Sequence, residues 1–470
     1  MEQIEQYKTY LSPLSWRYGS VEMRQIWSEI NKRKLWRQIW VCLAKAQLTF
    51  GLVDPEQVKD LEEHVSQIDI KRALEIEAEI HHDLMAELKV FAEQSPLGGN
   101  ILHLGATSMD IEDNAEALRI RQALTLILQK LKNLLLSFVE KIEQWNETPI
   151  IAFTHLQPAE PSTLGYRLAL YAQDLQQDWN TLVSIHSTIK GKGFKGAIGT
   201  SASYIELVGA DQFNQFEEQL SRLLDLPFFP VSSQIYPRKQ EYRIVSALAD
   251  LGASLYKFAF DVRFLQSPPV GEWSEPFAER QVGSSAMPFK RNPILSERLN
   301  SLARLLASMP QVAWQNAAHS LLERTLDDSA NRRTLLPEAF ILTDELLMLG
   351  QKILSGLKVN TKAIQRNLEL YAPFASTERL LMKLVQAGAN RQQMHEIIRN
   401  HAMKAWKAVQ EGNDNPLIAS LAQEPAFLEY LTPDQILKAL NIANYSGIAS
   451  PRARQLAQQI RHSLEQPDSF

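Results

Sequence analysis

The sequence predicts an all-α protein built around a bundle of long helices. Proline is absent from residues 97–148, 162–226 and 238–267, and apolar residues recur there every three or four positions, as on one face of a helix. No run with a period of two is long enough to nucleate a large sheet, and the only weak strand candidates lie within 192–204. In the first window, the apolar stripe is formed by Leu124, Leu128, Leu131, Leu135, Phe138 and Ile142.

The length and spacing of these segments indicate the domain organisation. A chain of 470 residues exceeds the usual size of a single core. We predict an N-terminal helical domain (1–107), a central long-helix bundle (108–360) and a small C-terminal helical domain (361–470), where the helices shorten and prolines separate them. Helices of about 25 residues are long against a mean of about 12, and apolar sides left outside the core would need other subunits. A homo-oligomer is therefore expected.

The composition excludes several classes of protein. A formal net charge of −5 argues against general binding to nucleic acid or to anionic membranes. Cys42 is the only cysteine, so no intrachain disulfide and no cysteine-based zinc site can form. No apolar run reaches the roughly 18 residues of a membrane span, and residues 1–5 are polar, unlike a signal peptide. We expect a soluble protein in the reducing cytoplasm.

The N-terminal third is predicted to contain helices at 35–50, 58–67 and 70–90, followed by a loop at 94–105 that contains proline and glycines. The sequence His81-His82-Asp83 falls on the third of these helices. Adjacent residues of a helix point to different faces, so two neighbouring histidines are a poor metal site. One inward and one solvated histidine is the expected arrangement.

Two polar segments are predicted to lie near helix starts. Thr107 and Ser108 open a helix at 110–145, where hydroxyls and free backbone N–H groups can bind a carboxylate. An ordinary N-cap followed by acidic residues explains the same pattern, and the two functions are compatible. Thr154 and His155 precede another long helix, which places His155 just before a helix N-terminus.

Two further segments combine residues that can carry chemistry. Residues 283–293 form a loop that leads into a helix, and the loop and first turn contain Ser284, Lys290, Asn292, Glu297 and Arg298. A loop that closes over a substrate can exclude water, although a polar interhelical loop would look similar. Residues 323–333 contain three arginines, which suit either a solvated helix face or a phosphate clamp.

The pattern Gly-Ser-Ser-x-Met-Pro-x-Lys-x-Asn-Pro at 283–293 resembles the signature of the fumarase/aspartase superfamily. The frame Thr-x-x-Gln-x-Ala-x-Pro-x-Thr at 154–163 is similar to a second signature of the same superfamily. Its members are all-α, three-domain lyases with a long central bundle, and they eliminate fumarate or a close relative. Within the superfamily, segments 12–23, 233–239, 323–333 and the short 445–449 resemble adenylosuccinate lyases.

This resemblance implies the cleavage of adenylosuccinate to AMP and fumarate and of SAICAR to AICAR and fumarate, in purine biosynthesis. It implies no metal or organic cofactor, and a homotetramer whose active sites are shared between subunits. The catalytic residues implied are Ser284 as base, His155 as acid, Lys290 and Glu297. The substrate-binding residues implied are Arg17, Tyr18, His82, Asp83, Thr107, Ser108, Thr154, Gln234, Asn292, Arg298, Arg324, Ser329 and Arg333.

The sequence departs from the family pattern at three positions. Ser201 stands where glutamine is usual, Pro237 where serine is usual, and His81 where arginine is usual. Two other interpretations stay open: a related lyase of the argininosuccinate lyase or carboxymuconate cycloisomerase type, and a non-catalytic scaffold. The Arg-rich segments argue against the related lyases, whose substrates carry no phosphate. The joint presence of Ser284 and His155 argues against the scaffold.

Overall fold

Five long helices form the centre of the protein in the computed structural model, which describes residues 6–442 and 445–465. The polar N-terminal residues 1–5 lie outside this range. The long helices are α6 (Ser108–Trp145), α7 (Leu164–Ser187), α10 (Lys239–Leu265), α11 (Ile294–Ala318) and α12 (Ser329–Ser355). All six residues of the apolar stripe predicted for α6 are fully buried. The all-α prediction is confirmed.

The directions of these helices decide where polar groups meet. Helices α6, α10 and α12 run parallel, since contacts pair the start of α6 with the starts of α10 and α12 and later residues with later ones. Arg238 binds both Asp113 and Asp328 at one end, and Phe138 packs against Phe258 near the other. Three helix N-termini therefore converge at one end of the bundle.

The N-terminal helices are α1 (Val21–Ile26), α2 (Glu29–Thr49), α3 (Pro55–His64), α4 (Ile70–Ile80) and α5 (Asp83–Gln94). The single helix predicted at 70–90 is wrong, because His81 has a left-handed φ of 55° and ends α4. His82 then accepts a hydrogen bond from the Met85 N–H and begins α5. The two histidines therefore lie at a break between helices and not on one.

The strands of the described residues form two short two-stranded sheets. Strands β1 (Pro149–Thr154) and β2 (Gln157–Thr163) are antiparallel, and β3 (Trp273–Ser274) pairs with β4 (Lys358–Val359). The strand candidate at 192–204 is wrong. Its backbone turns around the buried carboxylate of Asp110, to which the N–H groups of Lys195 and Gly196 donate. Two further helices follow, α8 (Ala202–Val208) and α9 (Phe213–Leu224).

The C-terminal part is made of shorter helices: α13 (Thr361–Ala375), α14 (Thr377–Gln386), α15 (Arg391–Gln410), α16 (Leu417–Ala422), α17 (Pro425–Leu428), α18 (Pro433–Leu440) and α19 (Ala449–Glu465). Helices α14–α18 share a separate apolar core. Helix α19 returns to the bundle, where Arg461 binds Glu143 of α6 at 3.0 Å. Among the helices in the described ranges, none has the length and apolarity to span a membrane.

Gly165 allows α6 and α7 to cross closely, and the variant Gly165→Ala tests this contact. A Cβ there would lie 2.7 Å from Asn146 Cα and 2.8 Å from the Ile142 carbonyl oxygen, which are backbone atoms with no room to shift. We expect a loss of roughly 3 kcal/mol in the free energy of unfolding. Gly350→Ala is the matched control, because its Cβ would meet only side-chain atoms of Leu255 and Leu134. Equal thermal unfolding midpoints for the two variants would contradict the close crossing.

Candidate active site

A cavity of about 800 Å³ opens at the end of the bundle where α6, α10 and α12 begin. Eight of the seventeen residues predicted for the site line this cavity, which we call the substrate pocket. They are His82, Asp83, Thr107, Ser108, Gln234, Arg324, Ser329 and Arg333. Residues separated by up to 251 positions in the sequence are thus brought together by the parallel packing of three helices.

The start of α6 shapes one wall of the pocket. Thr107 is the N-cap, and its N–H donates to the Asp110 carboxylate in a capping box. The Asp110 carboxylate is buried and also binds Lys192 and the Tyr204 hydroxyl, so it cannot face the pocket. Ser108 remains on the pocket side, where its hydroxyl lies 3.4 Å from His82 Nε2. Both the cap and the anion site predicted here are compatible with this geometry.

A buried ion network forms the floor behind the pocket. Arg238 donates to Asp113 at 2.9 Å and to Asp328 at 2.6 Å, and all three side chains are buried. Arg332 donates to Glu241 at 2.9 Å in the adjoining layer. Burial opposes ionisation of Asp328, but the neighbouring Arg238 and Arg332 guanidiniums hold the pKa of its carboxyl below the ordinary value. The Asp328 carboxylate is therefore ionised at neutral pH, and the ion pairs of Arg238 fix the relative positions of three helices.

The opposite wall carries the arginines that were predicted as a phosphate clamp. Arg324 donates to Asp328 at 2.8 Å, and Arg333 pairs with Asp83 at 3.1 Å. The side chain of Arg333 is 63% exposed, so solvent or a ligand can replace its carboxylate partner. Ser329 is the first residue of α12. Arginine forks and converging helix N-termini both favour a bound anion. The pocket can therefore hold a phosphate group.

Glu112 is a pocket residue that the sequence analysis did not identify as part of the site. It lies one turn after Ser108 on the same face of α6 and lines the substrate pocket. Burial, followed by the charges of Asp83 and Asp113, raises the pKa of Glu112 to about 7. The sequence pattern attributes the acidic residues after the cap to the helix start, although the spacing of four between Ser108 and Glu112 places both on one face of α6.

Thr154 and His155 lie far from this pocket. His155 and Leu156 have φ values of 53° and 59° and form the two-residue turn between β1 and β2. The prediction that His155 directly precedes a helix N-terminus is wrong, because strand β2 intervenes before α7 begins at Leu164. The His155 side chain is exposed at the tip of the hairpin.

The loop at 283–293 leads into α11, as its proline pattern predicted, and it follows β3 in the chain. The Ser284 hydroxyl oxygen accepts hydrogen bonds from the N–H groups of Ala286 (3.3 Å) and Met287 (3.1 Å). The Asn292 side chain donates to the Gly283 carbonyl oxygen at 3.0 Å and closes the base of the loop. The side chains of Lys290, Glu297 and Arg298 are exposed.

The hairpin and the loop both lie at the end of the bundle away from the pocket. Phe153 packs against Phe264 near the end of α10, and Gln266 donates to the Arg291 carbonyl oxygen. Helix α10 has 27 residues, or about 40 Å at 1.5 Å per residue. His155 and Ser284 are thus separated from Ser108 of the same chain by about that distance. One chain does not bring the predicted catalytic and substrate-binding residues together.

Arg17 and Tyr18 also lie outside the pocket. The segment is held against the middle of α12, where the N–H groups of Gly19 and Ser20 donate to Glu345 and Asp344. Tyr18 is half-buried against the core, whereas Arg17 is exposed and stacks over the Trp16 ring. The contact point on α12 is about 20 Å along the helix from Ser329.

Of the three positions that depart from the family pattern, one lies at the pocket. His81 lines it. Ser201 is buried with a φ of 57°, and its hydroxyl donates to the Phe194 carbonyl oxygen at 3.4 Å. Ser201 is therefore oriented into the fold. Pro237 lies three residues after Gln234, which lines the pocket, but Pro237 itself is not among the lining residues.

Comparisons with known proteins identify the class of protein to which the chain belongs. Residues 21–306 match the family described as Lyase, and residues 373–455 match the family described as Adenylosuccinate lyase C-terminus. The fold is similar to the crystal structure of 3-carboxy-cis,cis-muconate lactonizing enzyme from Pseudomonas putida. The TM-score is 0.83 at 25% identity, over 96% of this chain and 100% of that one. The fold and site therefore define a lyase of the fumarase/aspartase superfamily.

The curated relatives specify the branch. Adenylosuccinate lyase of Schizosaccharomyces pombe is 35% identical over 95% of this chain and 93% of its own length. Adenylosuccinate lyase of Pyrococcus abyssi is 36% identical over 97% of this chain and 98% of its own length. The chain belongs to the adenylosuccinate lyase family.

The buried network predicts a large penalty when one of its charges is removed. In Asp113→Asn, the buried charge of Arg238 loses one of the carboxylates that neutralise it. We therefore expect a loss of about 3 kcal/mol in the free energy of unfolding. Asp434→Asn breaks the exposed pair with Lys438 and serves as the control, with no measurable change expected. Thermal unfolding of the two variants measures the difference. An unchanged midpoint for Asp113→Asn would show that the network does not hold the pocket end together.

Proposed function

We propose that this protein cleaves adenylosuccinate to AMP and fumarate, and SAICAR to AICAR and fumarate, in purine biosynthesis. The observation that carries the proposal is the substrate pocket, where Arg324, Ser329 and Arg333 face a cavity at converging helix N-termini. A nucleotide phosphate suits this set of donors, whereas the argininosuccinate or muconate type of substrate has no phosphate to place there. Membership of the adenylosuccinate lyase family supports the same assignment.

The reaction we propose is an anti β-elimination without a metal or organic cofactor. The Ser284 oxygen takes the proton from the succinyl Cβ, and a double bond forms as the C–N bond breaks. The electron pair of that bond goes to the departing nitrogen, which receives a proton from His155. Lys290 and Asn292 stabilise the negative charge that develops on the succinyl carboxylate, and Glu297 orients His155 through a hydrogen bond.

The local geometry of Ser284 supports its role as base. Serine is a weak base unless its surroundings favour the alkoxide. Two backbone N–H groups already donate to the Ser284 oxygen, and such donors stabilise an anionic oxygen more strongly than a neutral one. The side chain of Lys290 adds a positive charge on the same loop. Closure over the substrate would strengthen both effects by excluding water.

We also propose a homotetramer in which each active site combines residues of three chains. The support is the separation of about 40 Å between the substrate pocket and the His155 hairpin or the Ser284 loop in one chain. Another copy that packs its bundle in the opposite direction would bring its hairpin or loop to this pocket. In this arrangement Thr154 and His155 come from one neighbour, and the loop with Arg298 comes from another. Arg17 and Tyr18 lie outside the pocket of their own chain, so in this arrangement they complete the phosphate site of a neighbouring chain.

Two finer assignments complete the proposal. We place the enzyme in the cytoplasm, where a protein with the single thiol of Cys42 needs no oxidising environment. We keep the boundaries at 107 and 360 for its three domains.

The activity is tested by ultraviolet absorbance of the purified protein with adenylosuccinate, followed by product analysis. We expect AMP and fumarate in equal amounts. Argininosuccinate is the control substrate and should remain intact. Failure to convert adenylosuccinate by folded protein, with fumarate released from another succinyl compound, would refute the proposed substrate.

Sharing of the active site is tested by mixing two inactive chains. Ser284→Ala should bind AMP but lose turnover at least about 100-fold, and His155→Asn should behave in the same way. If the base and acid of one site come from different chains, random co-assembly of the two variants restores about one quarter of wild-type activity. Activity of co-refolded mixtures measures this. Ser285→Ala, which changes the neighbouring hydroxyl, is the control and should keep turnover.

No recovery in mixtures that contain both chains in one oligomer would contradict the three-chain site. The same mixing experiment with two variants of one loop, Ser284→Ala and Lys290→Ala, gives the internal comparison. Both substitutions there fall on the same contributing element, so each site receives one defective loop and activity should not return.

The raised pKa of Glu112 predicts that the KM depends on pH. With a pKa of about 7, its carboxyl is mostly neutral at pH 6 and charged at pH 8. The charged form repels a substrate phosphate, so the KM should rise by about 3- to 10-fold as pH increases through 7. Glu112→Gln should flatten this rise. Glu77→Gln is the control, because Glu77 lines the same pocket but lies 3.6 Å from Arg33. Identical KM profiles for wild type and Glu112→Gln would refute this role.

A further inference from the structure

A second cavity, of about 420 Å³, lies between the end of α7 and the start of α10. Its polar lining includes three cations, Lys190, Lys239 and Arg243, and no carboxylate. Ile189, Phe229 and Ile244 contribute apolar surface to the same walls. We call this the basic cavity. A concave site with apolar walls and a few charges of one sign is typical of small-molecule binding sites.

The three cations are not neutralised within the described residues. Lys239 and Arg243 are exposed one turn apart on α10, and none of the ion pairs between described residues involves them. Lys190 Nζ lies 6.0 Å from the centroid of the Phe229 ring, a cation–π contact that leaves its charge available. Glu241 is close in sequence, but it is buried and bound to Arg332 on the other side of α10. The cavity therefore has a positive potential.

The walls of the basic cavity are held in place before any ligand arrives. The Gln240 side chain accepts a hydrogen bond from the Lys190 N–H at 3.0 Å and donates to the Lys190 carbonyl oxygen at 2.9 Å. The Phe229 ring stacks on Tyr236, with 6.3 Å between ring centroids. These contacts reduce the entropy that would be lost on binding.

The basic cavity is separate from the substrate pocket. The segment 234–239 divides them: Gln234 lines the substrate pocket, whereas Pro237 and Lys239 line the basic cavity. Arg238 lies between them and is buried in its ion pairs with Asp113 and Asp328. A ligand that fills one cavity therefore leaves the other free.

We propose that the basic cavity is a second binding site, for a phosphate-bearing small molecule. The Arg243 guanidinium presents a fork that matches phosphate oxygens, and two lysines add charge without competing carboxylates. The isoleucine and phenylalanine surface suits the organic part of a phosphate ester. Inorganic pyrophosphate is a suitable probe, because it presents the charged group alone.

The test is equilibrium dialysis of labelled pyrophosphate with the assembled enzyme in saturating AMP, which occupies the substrate pocket. We expect one pyrophosphate per chain to remain bound. The double variant Lys190→Gln/Arg243→Gln should weaken this binding at least about 10-fold. Lys404→Gln/Lys407→Gln removes two exposed charges from α15 and is the matched control, with binding unchanged. Thermal unfolding checks that both double variants are folded.

Either of two results would overturn the proposal. One is the absence of bound pyrophosphate in saturating AMP, which would follow if carboxylates of another subunit neutralised the cavity. The other is equal binding by the wild type and Lys190→Gln/Arg243→Gln. If saturating AMP displaced no pyrophosphate from the wild type, the proposal that AMP binds in the substrate pocket would be refuted instead. In that case the double variant should still bind one pyrophosphate fewer per chain than the wild type.

Discussion

The ion pairs of Arg238 with Asp113 and Asp328 are the constraint on which the rest of this structure depends. One buried guanidinium joins the starts of α6, α10 and α12, where three positive helix ends lie close together. The two carboxylates offset that accumulation of positive potential on the inner side. On the outer side Ser108, Ser329 and Arg333 face the cavity, and the exposed pair of Arg333 with Asp83 can open to a ligand. The same arrangement that stabilises the fold thus leaves a site for an anion.

The sequence predicted the helices well because apolar periodicity reports burial directly. The stripe from Leu124 to Ile142 is buried along α6, as its spacing required. The errors fall where the backbone takes a left-handed conformation that side-chain periodicity does not encode. His81 ends a helix at φ 55°, and His155 turns a hairpin at φ 53°. Neither is glycine or asparagine, the residues that usually mark such positions.

The sequence predicted residues that meet in one pocket, but not how far the predicted catalytic residues lie from that pocket in one chain. Motifs select residue types, and eight of the predicted residues do meet in one pocket. Motifs do not indicate which helix ends coincide, and so they do not give the distance from Ser108 to His155. Glu112 was missed for a related reason, since its acidity was explained by the helix start alone. The burial of Glu112 and the charge of Asp83, which raise its pKa, become visible only in the tertiary structure.

The exposed apolar surface of the bundle and the distance between the two parts of the proposed active site both point to another copy of the chain. Leu170 on α7, Phe260 on α10, and Leu305 and Trp314 on α11 are each about half exposed in the single chain. Large exposed side chains on several long helices are costly in water and favour burial against another copy. The proposed active site needs such a copy as well, since its base and acid lie about 40 Å from the pocket. The hydrophobic contact that would stabilise the oligomer would then also exclude water from the reaction. Stability and catalysis in this protein would therefore depend on the same surfaces.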